Sequence, residues 1–375
     1  MTVGGTIDRR SLPVEIGGFE PLLLEFRARL DAELYAFLER KREAAEERGG
    51  APLADSIERL LRGGGKRLRP ALVYHAYRAC GGAAVDVVMP LAMSLELLHA
   101  YLLIHDDIMD HAEMRRGLPA AHAQFREQHR ELGWSGDPGD FGRSMAILLG
   151  DLAHAWAVEL YTEAVRREER ASSRADRDAL DRAFSEMSEE VVLGQYLEMM
   201  APHGRDPSEE ELLRILRLKS GRYSVERPIQ LGALLADAAE PTLRAFARYG
   251  VAIGDAFQLQ DDVLGVFGEA ASVGKPVGSD LKEGKHTFLI HHTLRNAAPK
   301  EARRLRELLG RADLSGEEIG SAQAIIRATG GLAAVEEMID ACLGDALAAL
   351  DELSLESESR VFFVGLLRYL KGRER

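Results

Sequence analysis

Three aspartates stand within five residues of one another, and two arginines follow them closely. The stretch HDDIMDHAEMRRG spans residues 105 to 117 and contains Asp106, Asp107, Asp110, Arg115 and Arg116. Crowded carboxylates repel and raise one another's pKa unless a cation compensates for them. Mg²⁺ prefers carboxylate oxygens, keeps several waters and usually bridges to a substrate phosphate. The pattern therefore favours a Mg²⁺ site that holds a phosphate, with the arginines as bidentate phosphate donors.

The aspartates are predicted to share one face of a helix over residues 94 to 110. Asp106 and Asp110 are one turn apart, Asp107 borders that face, and His99 lies about two turns earlier. The preceding segment SLELLHAYLLI is strongly apolar. This places the acidic group at the mouth of something buried, although an exposed acidic helix end is the alternative for these residues taken alone.

A second aspartate pair and several cations among glycines point to the same chemistry. LQDDVLG at 259 to 265 resembles IHDDIMD at 104 to 110, so Asp261 and Asp262 are predicted to hold further Mg²⁺ around one diphosphate. In GGGKRLRP at 63 to 70, the basic residues lie between a glycine turn and a predicted helix N-terminus. Backbone N–H groups and the helix dipole favour an anion at such a place. GKPVGSDLKEGKHT at 274 to 287 again places lysines among glycines. The cations concerned are Lys66, Arg67, Arg69, Lys275 and Lys285.

The elements that must position these residues are predicted to be helices almost throughout. Segments such as AAVEEMIDACLGDALAALDEL carry amphipathic helical spacing. Asp55 with Glu58, and Ser208 with Glu211, have the spacing of capping boxes. The Gly- and Asp-rich stretch at 129 to 144 is predicted to be irregular. We therefore predict an all-α fold, with a flexible tail over residues 1–20 and a single domain over residues 21–375.

Composition excludes several classes of protein. The chain has 61 acidic against 48 basic residues and a net charge of −13, which argues against a nucleic-acid partner. Its two cysteines, Cys80 and Cys342, are far apart in sequence, as expected in a reducing cytoplasm. We find neither a signal-peptide pattern nor a run of the ~18 apolar residues that a membrane span needs. These features predict a cytoplasmic protein without a transmembrane segment.

Taken in order, the motifs resemble the trans-isoprenyl diphosphate synthases, the polyprenyl synthetase family, from about residue 50 to the C-terminus. The matching blocks are GGGKRLRP, ELLHAYLLIHDDIMDHAEMRRGLPA, AILLGD, VVLGQYLEM, LKSGRYS, FQLQDDVLGVFG and GKPVGSDLKEGKHT. The resemblance implies an all-α isoprenoid synthase bundle, with helices around a deep central cavity, that forms a homodimer. It also implies a reaction in which an allylic diphosphate ionises, isopentenyl diphosphate attacks the allylic cation, and a proton is lost.

The resemblance also implies a role for each motif residue. Up to three Mg²⁺ ions are expected to bridge the diphosphate to Asp106, Asp107, Asp110, Asp261 and Asp262. Isopentenyl diphosphate is expected to bind Lys66, Arg69, His99 and Arg116. The allylic diphosphate is expected to bind Arg115, Lys219, Ser220, Gln258, Lys275 and Lys285; Ser220 stands where many relatives carry threonine and keeps the hydroxyl.

Two further positions concern the product and the completeness of the site. Tyr101 lies five residues before Asp106, roughly 7.5 Å along the helix, and with Leu102 it resembles the floor that limits chain growth in the family. Because DDIMD carries no insertion, the pattern resembles the geranylgeranyl type, so a C20 product is expected, with C15 farnesyl diphosphate as the close alternative.

Gly265 stands where many relatives carry the last aspartate of the second motif. Activity is still expected, because Asp261 and Asp262 are present.

Three other functions fit parts of the pattern. Glu96 with His99, and Asp151 with His154, have the spacing of a di-iron carboxylate bundle, which does not account for the arginine pair. A class I terpene cyclase shares the first aspartate motif, but its second metal motif differs from VLGVFGE. A non-catalytic subunit that binds diphosphates is supported only by Gly265.

Overall fold

Helices make up nearly all of the described structure. The computed structural model describes residues 18–201, 208–268 and 277–372. The helices are α1 (Phe19–Glu46), α2 (Ala51–Arg62), α3 (Leu68–Ala79), α4 (Val85–Met109), α5 (Ala121–Glu131), α6 (Pro138–Ala171), α7 (Arg177–Met200), α8 (Glu209–Leu216), a π-helix (Arg217–Glu226), α9 (Arg227–Leu235), α10 (Glu240–Phe267), α11 (Ser279–Glu283), α12 (Phe288–Asn296), α13 (Pro299–Leu308), α14 (Gly316–Ala328), α15 (Gly331–Asp351) and α16 (Ser357–Lys371). The predicted all-α fold is confirmed.

One small hairpin follows the first aspartate motif. Its strands are β1 (Met114–Arg115) and β2 (Leu118–Pro119), paired antiparallel. The two turn residues, Arg116 and Gly117, both have positive φ, at 53° and 78°, as a type I′ turn requires. The sequence does not predict this hairpin, because strands of two residues are too short to show an alternating pattern.

The described residues divide into two compact units. The first unit contains Glu20–Arg177 and Gly232–Asp237. The second contains Gly18 and Phe19, the described residues of Asp178–Leu231, and those from Ala238 onward. The first aspartate motif thus belongs to the first unit and the second motif to the second unit. A single domain over 21–375 stays a prediction. Of the predicted tail, residues 1–17 lie outside the described residues, and α1 begins at Phe19.

Helix α4 is the core helix of the first unit. It packs against α3 and α6, and residues 87 to 98 along it are buried. Among the described helices, it alone is long and apolar enough to cross a membrane by length and composition, with a mean hydropathy of 1.8, but 78% of that window is buried inside the protein. Burial decreases toward its C-terminus, where Asp106 is half-buried and Asp110 is exposed. The packing of α4 therefore brings its acidic end to the surface of the unit.

Helix α10 has the corresponding place in the second unit. It packs against α15 and the π-helix, and its fully buried Tyr249 donates a hydrogen bond to the carbonyl of Phe363 at 2.8 Å. Gly254 meets Gly221 of the π-helix so closely that an added Cβ would lie 2.7 Å from the Gly221 carbonyl oxygen. Glycine at this crossing lets the π-helix lie directly on α10.

Helix caps were predicted with mixed success. The Ser208–Glu211 capping box is confirmed. The Asp55 cap is wrong: α2 begins at Ala51 with a proline in its first turn, and Asp55 instead accepts a hydrogen bond from Arg42. The segment predicted to be irregular over residues 129–144 is helical at both ends, and only residues 132–137 lie outside the helices. Helix α6 already begins at Pro138, because the Asp137 side chain caps it by accepting a hydrogen bond from the Asp140 N–H.

Candidate active site

The first aspartate motif forms the C-terminal end of α4. Asp106 lies in the last turn and Asp110 is the C-cap, one turn later. The side chain of Asp106 is 25% exposed, whereas Asp107 is buried. A helix C-terminus carries the negative end of the helix dipole, so it adds to the charge of the three carboxylates. This end of α4 therefore attracts cations.

The hairpin returns Arg115 to this acidic end. Arg115 donates from Nε to Asp107 Oδ1 at 2.8 Å, also donates from Nη2 to the same oxygen, and lies 3.6 Å from Asp106 Oδ2. Burial raises the pKa of Asp107 although its bonds with Arg115 oppose that shift. Arg115 stays charged, because Asp107 and Asp106 raise its pKa against the effect of burial. A predicted phosphate ligand thus lies in contact with two predicted metal ligands.

Three of the four residues predicted to bind isopentenyl diphosphate, Arg69, His99 and Arg116, lie close to one another. Burial lowers the pKa of His99 well below its ordinary value, and the positive charges of Arg69 and Arg116 lower it further. His99 is therefore neutral. Burial and the neighbouring Arg67, Arg115 and Arg69 also lower the pKa of Arg116, partly offset by Glu96. Such a concentration of positive charge favours an anion.

The fourth residue, Lys66, stands on the loop that precedes α3. It is exposed, and Arg69 follows in the first turn of α3. Arg116 reaches this loop from the hairpin and donates a hydrogen bond to the Gly64 carbonyl. The loop between α2 and α3 therefore carries Lys66, leads directly into the turn that carries Arg69, and is contacted by Arg116.

Arg67 is buried, although nothing in the spacing of GGGKRLRP predicts that its side chain turns into the protein. Its side chain is 0% exposed and pairs with Asp31 of α1 and Glu96 of α4. Glu96, which the di-iron alternative treats as a metal ligand, is therefore the partner of an arginine. The spacing of Glu96 and His99 was visible in the sequence, but the pairing with Arg67 was not.

The second aspartate motif lies in the last two turns of α10. Asp262 is buried and Asp261 is half-buried. Gln258, one turn earlier, donates to Asp262 Oδ1 at 3.1 Å. Burial raises the pKa of Asp262 to about 8; Asp280 and Asp261 add to the shift, while Gln258 and Lys285 oppose it. The negative charge at this position is only partly compensated by the protein.

The described lysines predicted in the second unit each pair with a carboxylate. Lys219 forms an ion pair with Glu198 of α7. Lys285 lies 2.9 Å from Glu283 Oε2, and although burial opposes it, the carboxylates of Asp280, Glu283 and Glu198 raise the pKa of Lys285. Lys285 is therefore charged. Glu198 and Asp280 were missed as site residues, although they stand in the motifs VVLGQYLEM and GKPVGSDLKEGKHT.

The π-helix positions Lys219 and Ser220 within this unit. Both residues are half-buried. An added Cβ on Gly194 of α7 would overlap the backbone of Lys219, so this glycine permits the close approach of the two helices. Single π-helical segments are frequent at functional sites. Lys275, the remaining predicted allylic ligand, lies outside the described residues.

The space that a side chain at position 265 would occupy is already filled by another residue. A Cβ added to Gly265 would overlap the carboxylate of Asp280, which is buried at the start of α11. Asp280 also acts on the pKa of Asp262, the neighbouring member of the second motif. The carboxylate absent at 265 is thus matched by one that comes from a different helix.

The predicted floor consists of packed rings on α4 and α6. Tyr101 and Leu102 are half-buried. The Tyr101 ring lies 4.8 Å from that of His105 in a T-shaped arrangement and 5.0 Å from that of His154. An added Cβ on Gly150 would overlap His105, so α6 packs closely here.

The described residues contain no group of three or more His, Cys, Asp or Glu side chains that already form a metal site. The donors present are carboxylates at a helix end with an arginine beside them. This set fits an ion that takes much of its coordination from phosphate and water, as Mg²⁺ does.

Comparison with known proteins shows that a chain with this fold and this set of side chains is a prenyltransferase. The polyprenyl synthetase family model matches residues 51–326. The chain therefore belongs to the polyprenyl synthetase family.

Its relatives include enzymes of short-chain type. A short chain isoprenyl diphosphate synthase of Methanocaldococcus jannaschii is 35% identical over 275 residues, which cover 73% of this chain and 76% of that protein. A geranylgeranyl diphosphate synthase of Saccharolobus solfataricus is 32% identical over 278 residues, with coverages of 73% and 76%. The crystal structure of a geranylgeranyl pyrophosphate synthase from Corynebacterium glutamicum, complexed with isoprenyl diphosphate and magnesium, matches with a TM-score of 0.83, 33% identity, and coverage of 93% of this chain and 99% of that one.

Proposed function

We propose that this protein condenses isopentenyl diphosphate with allylic diphosphates and makes geranylgeranyl diphosphate, with release of pyrophosphate. The observation that carries the proposal is the acidic end of α4, where Arg115 pairs with Asp107 and lies close to Asp106. Carboxylates for a metal and an arginine for phosphate are thus adjacent. Neither a di-iron site nor a nucleic-acid surface would need that arrangement.

The residues that would hold Mg²⁺ are Asp106, Asp107 and Asp110, with Asp261 and Asp262 as further ligands. Bound Mg²⁺ would stabilise the negative charge that develops on the departing diphosphate. Up to three ions remain the prediction from the family resemblance. The partly compensated charge at Asp262 is consistent with a further cation in the second unit.

The cationic side chains hold the two substrates. Arg115, Lys219 and Lys285 can stabilise the allylic diphosphate as its bond to carbon breaks. Lys275, Gln258 and Ser220 are proposed to assist. Arg69, Arg116 and Lys66 would hold isopentenyl diphosphate. Neutral His99 can donate a hydrogen bond to that diphosphate without adding a charge. Holding both substrates in one orientation would supply much of the rate.

Product length depends on the floor below the growing chain. We propose that Tyr101 and Leu102 together stop elongation at C20. The rings of His105 and His154 hold Tyr101 in place. The names of the relatives support geranylgeranyl diphosphate over the farnesyl alternative.

A homodimer and a cytoplasmic location are also part of the proposal. The homodimer is inferred from the family resemblance. The cytoplasmic location is inferred from the two cysteines, which are free.

The proposal is tested with purified protein, Mg²⁺, isopentenyl diphosphate and, separately, dimethylallyl, geranyl and farnesyl diphosphate. Products are measured by mass spectrometry and the oligomeric state by light scattering. We expect geranylgeranyl diphosphate as the end product from each primer. Farnesyl diphosphate as the end product would move the floor higher, cyclic hydrocarbons would favour a cyclase, and no condensation with any primer would refute the catalytic proposal.

A further inference from the structure

Arg67 is the one basic residue of GGGKRLRP that turns wholly inward. Its guanidinium Nε lies 2.9 Å from Asp31 Oδ1, and Nη1 donates to Glu96 Oε1. Its Nη2 donates to the Leu61 carbonyl at 2.7 Å. One planar group therefore joins α1, α4 and the last turn of α2, and such a fork of donors is specific to arginine.

The backbone at this residue is also constrained. Arg67 is the N-cap of α3 and has φ 54° and ψ 33°, a left-handed conformation that is strained for a residue with a side chain. Such conformations persist only where the surroundings determine them. Here the hydrogen bonds of the buried Arg67 side chain hold the backbone in this conformation.

The bonds of Arg67 close the loop that carries Lys66 and leads into the turn of α3 that carries Arg69. The contact from Arg67 to the Leu61 carbonyl spans the residues between α2 and α3. Within that loop Gly65 has φ 153°, and an added Cβ would lie 3.1 Å from Arg67 Nη1 and 3.2 Å from Arg116 Nη1. The loop therefore lies between two guanidinium groups, one buried and one from the hairpin.

The charge of Arg67 is already compensated within the unit. Although burial opposes it, Glu96 and Asp31 raise the pKa of Arg67. With two carboxylates bound to it, this guanidinium is unsuited to bind a phosphate directly. The other basic residues of GGGKRLRP are Lys66, which is exposed, and Arg69, which is half-buried.

We propose that Arg67 is a positioning residue: its bonds to α1, α2 and α4 hold the loop in the conformation that presents Lys66 and Arg69 to isopentenyl diphosphate. The inference rests on the proposed function and adds a residue that does not itself touch the substrate. Glu96 and Asp31 act as the anchors of this arginine. The effect of losing the fork should therefore fall on binding of one substrate.

The test compares three variants with the wild-type enzyme. Arg67→Lys keeps the charge but cannot make the same fork of bonds. Gly65→Ala keeps every charge and disturbs the loop from its backbone. The control is Arg227→Lys, because Arg227 is likewise buried and pairs with Glu190 at 2.7 Å, but lies in a different part of the chain.

For Arg67→Lys and Gly65→Ala we expect the KM for isopentenyl diphosphate to rise roughly 10-fold, with kcat and the KM for farnesyl diphosphate within about 3-fold, the pattern of lost ground-state binding. Calorimetric titration with isopentenyl diphosphate should show the same loss of affinity. Arg227→Lys should lower the melting temperature without a selective change in KM.

Equal changes in all kinetic parameters, or an unchanged KM for isopentenyl diphosphate in the folded Arg67→Lys or Gly65→Ala variant, would overturn the inference. If Arg67→Lys does not fold, Gly65→Ala decides the outcome. A wild-type enzyme without turnover would instead refute the proposed function, so the two failures are distinguishable.

Discussion

The two aspartate motifs look alike in sequence but lie in different physical surroundings. The first ends a helix, with Asp106 partly exposed and Arg115 folded back onto Asp107. The second lies within α10, where Asp262 is buried beside Asp280 and hydrogen-bonded by Gln258. Each motif thus contains one buried aspartate whose pKa burial raises. The difference is that Asp107 of the first motif is paired with Arg115, whereas Asp262 of the second lies near the carboxylate of Asp280.

The largest expected effect is on activity, from the first motif. Asp106→Asn should lower kcat roughly 10²–10³-fold, because it removes charge from the proposed metal site, and losses of this order follow removal of a key electrostatic group. Its melting temperature should stay near that of the wild type because the side chain is partly exposed. Steady-state kinetics and calorimetry check both.

Asp140→Asn is the matched control, since Asp140 is an exposed aspartate of the same unit that pairs with Arg143. It should leave kcat unchanged. A loss of less than about 10-fold for Asp106→Asn would place the catalytic metal elsewhere.

The second motif should respond differently. Asp262→Asn should lower kcat by about 10–100-fold. Without Mg²⁺ it should raise the free energy of unfolding by about 1–3 kcal/mol, because burial raises the pKa of Asp262 to about 8 and folding at neutral pH therefore requires a proton that the unfolded chain has released, whereas Asn requires none. Urea denaturation at neutral pH measures the second effect. Lower stability for this variant would mean that the protein already compensates the carboxylate, and the contrast between the motifs would fail.

Gly265 gives a test of packing within the second motif. Gly265→Ala should lower the free energy of unfolding by about 1–3 kcal/mol, as overpacking does, because the added methyl overlaps Asp280. Asp280→Ala in the same chain should restore part of that loss, and a double-mutant cycle measures the coupling.

Gly320→Ala serves as the comparison, since Gly320 lies inside α14 with nothing within 4 Å of an added Cβ. That change should stabilise the protein by roughly 0.5–1 kcal/mol. Equal effects at positions 265 and 320 would show that the space beside Gly265 is not filled by Asp280.

The smallest effect on rate should come from the floor near the first motif. Tyr101→Ala should lengthen the main product by at least one isoprene unit with little change in the rate of primer consumption. Tyr101→Phe keeps the ring against His105 and His154 and should keep the product length. Chromatography of the dephosphorylated products gives the answer, and an unchanged distribution for Tyr101→Ala would remove Tyr101 from the floor.

Much of the site follows from local spacing. Asp106 and Asp110 were placed one turn apart by helical periodicity, and α4 has that geometry. The Ser208 cap was found because its partner is three residues away. The Asp55 cap failed because the same local pattern occurs inside a helix, where the proline in the first turn of α2 decides the start. Local patterns are thus informative only where no stronger neighbouring signal competes.

The sequence by itself determined the all-α fold, the family and the elements that carry both motifs, because helical periodicity and motif spacing act over a few residues. Only the tertiary structure decided that Arg67 turns inward to Asp31 and Glu96, that Lys219 meets Glu198, and that Asp280 fills the space at Gly265. These partners lie 15 to 36 positions apart in the chain. Their pairing depends on how helices pack and on which charges are buried together, and neither is encoded in the spacing of a single segment.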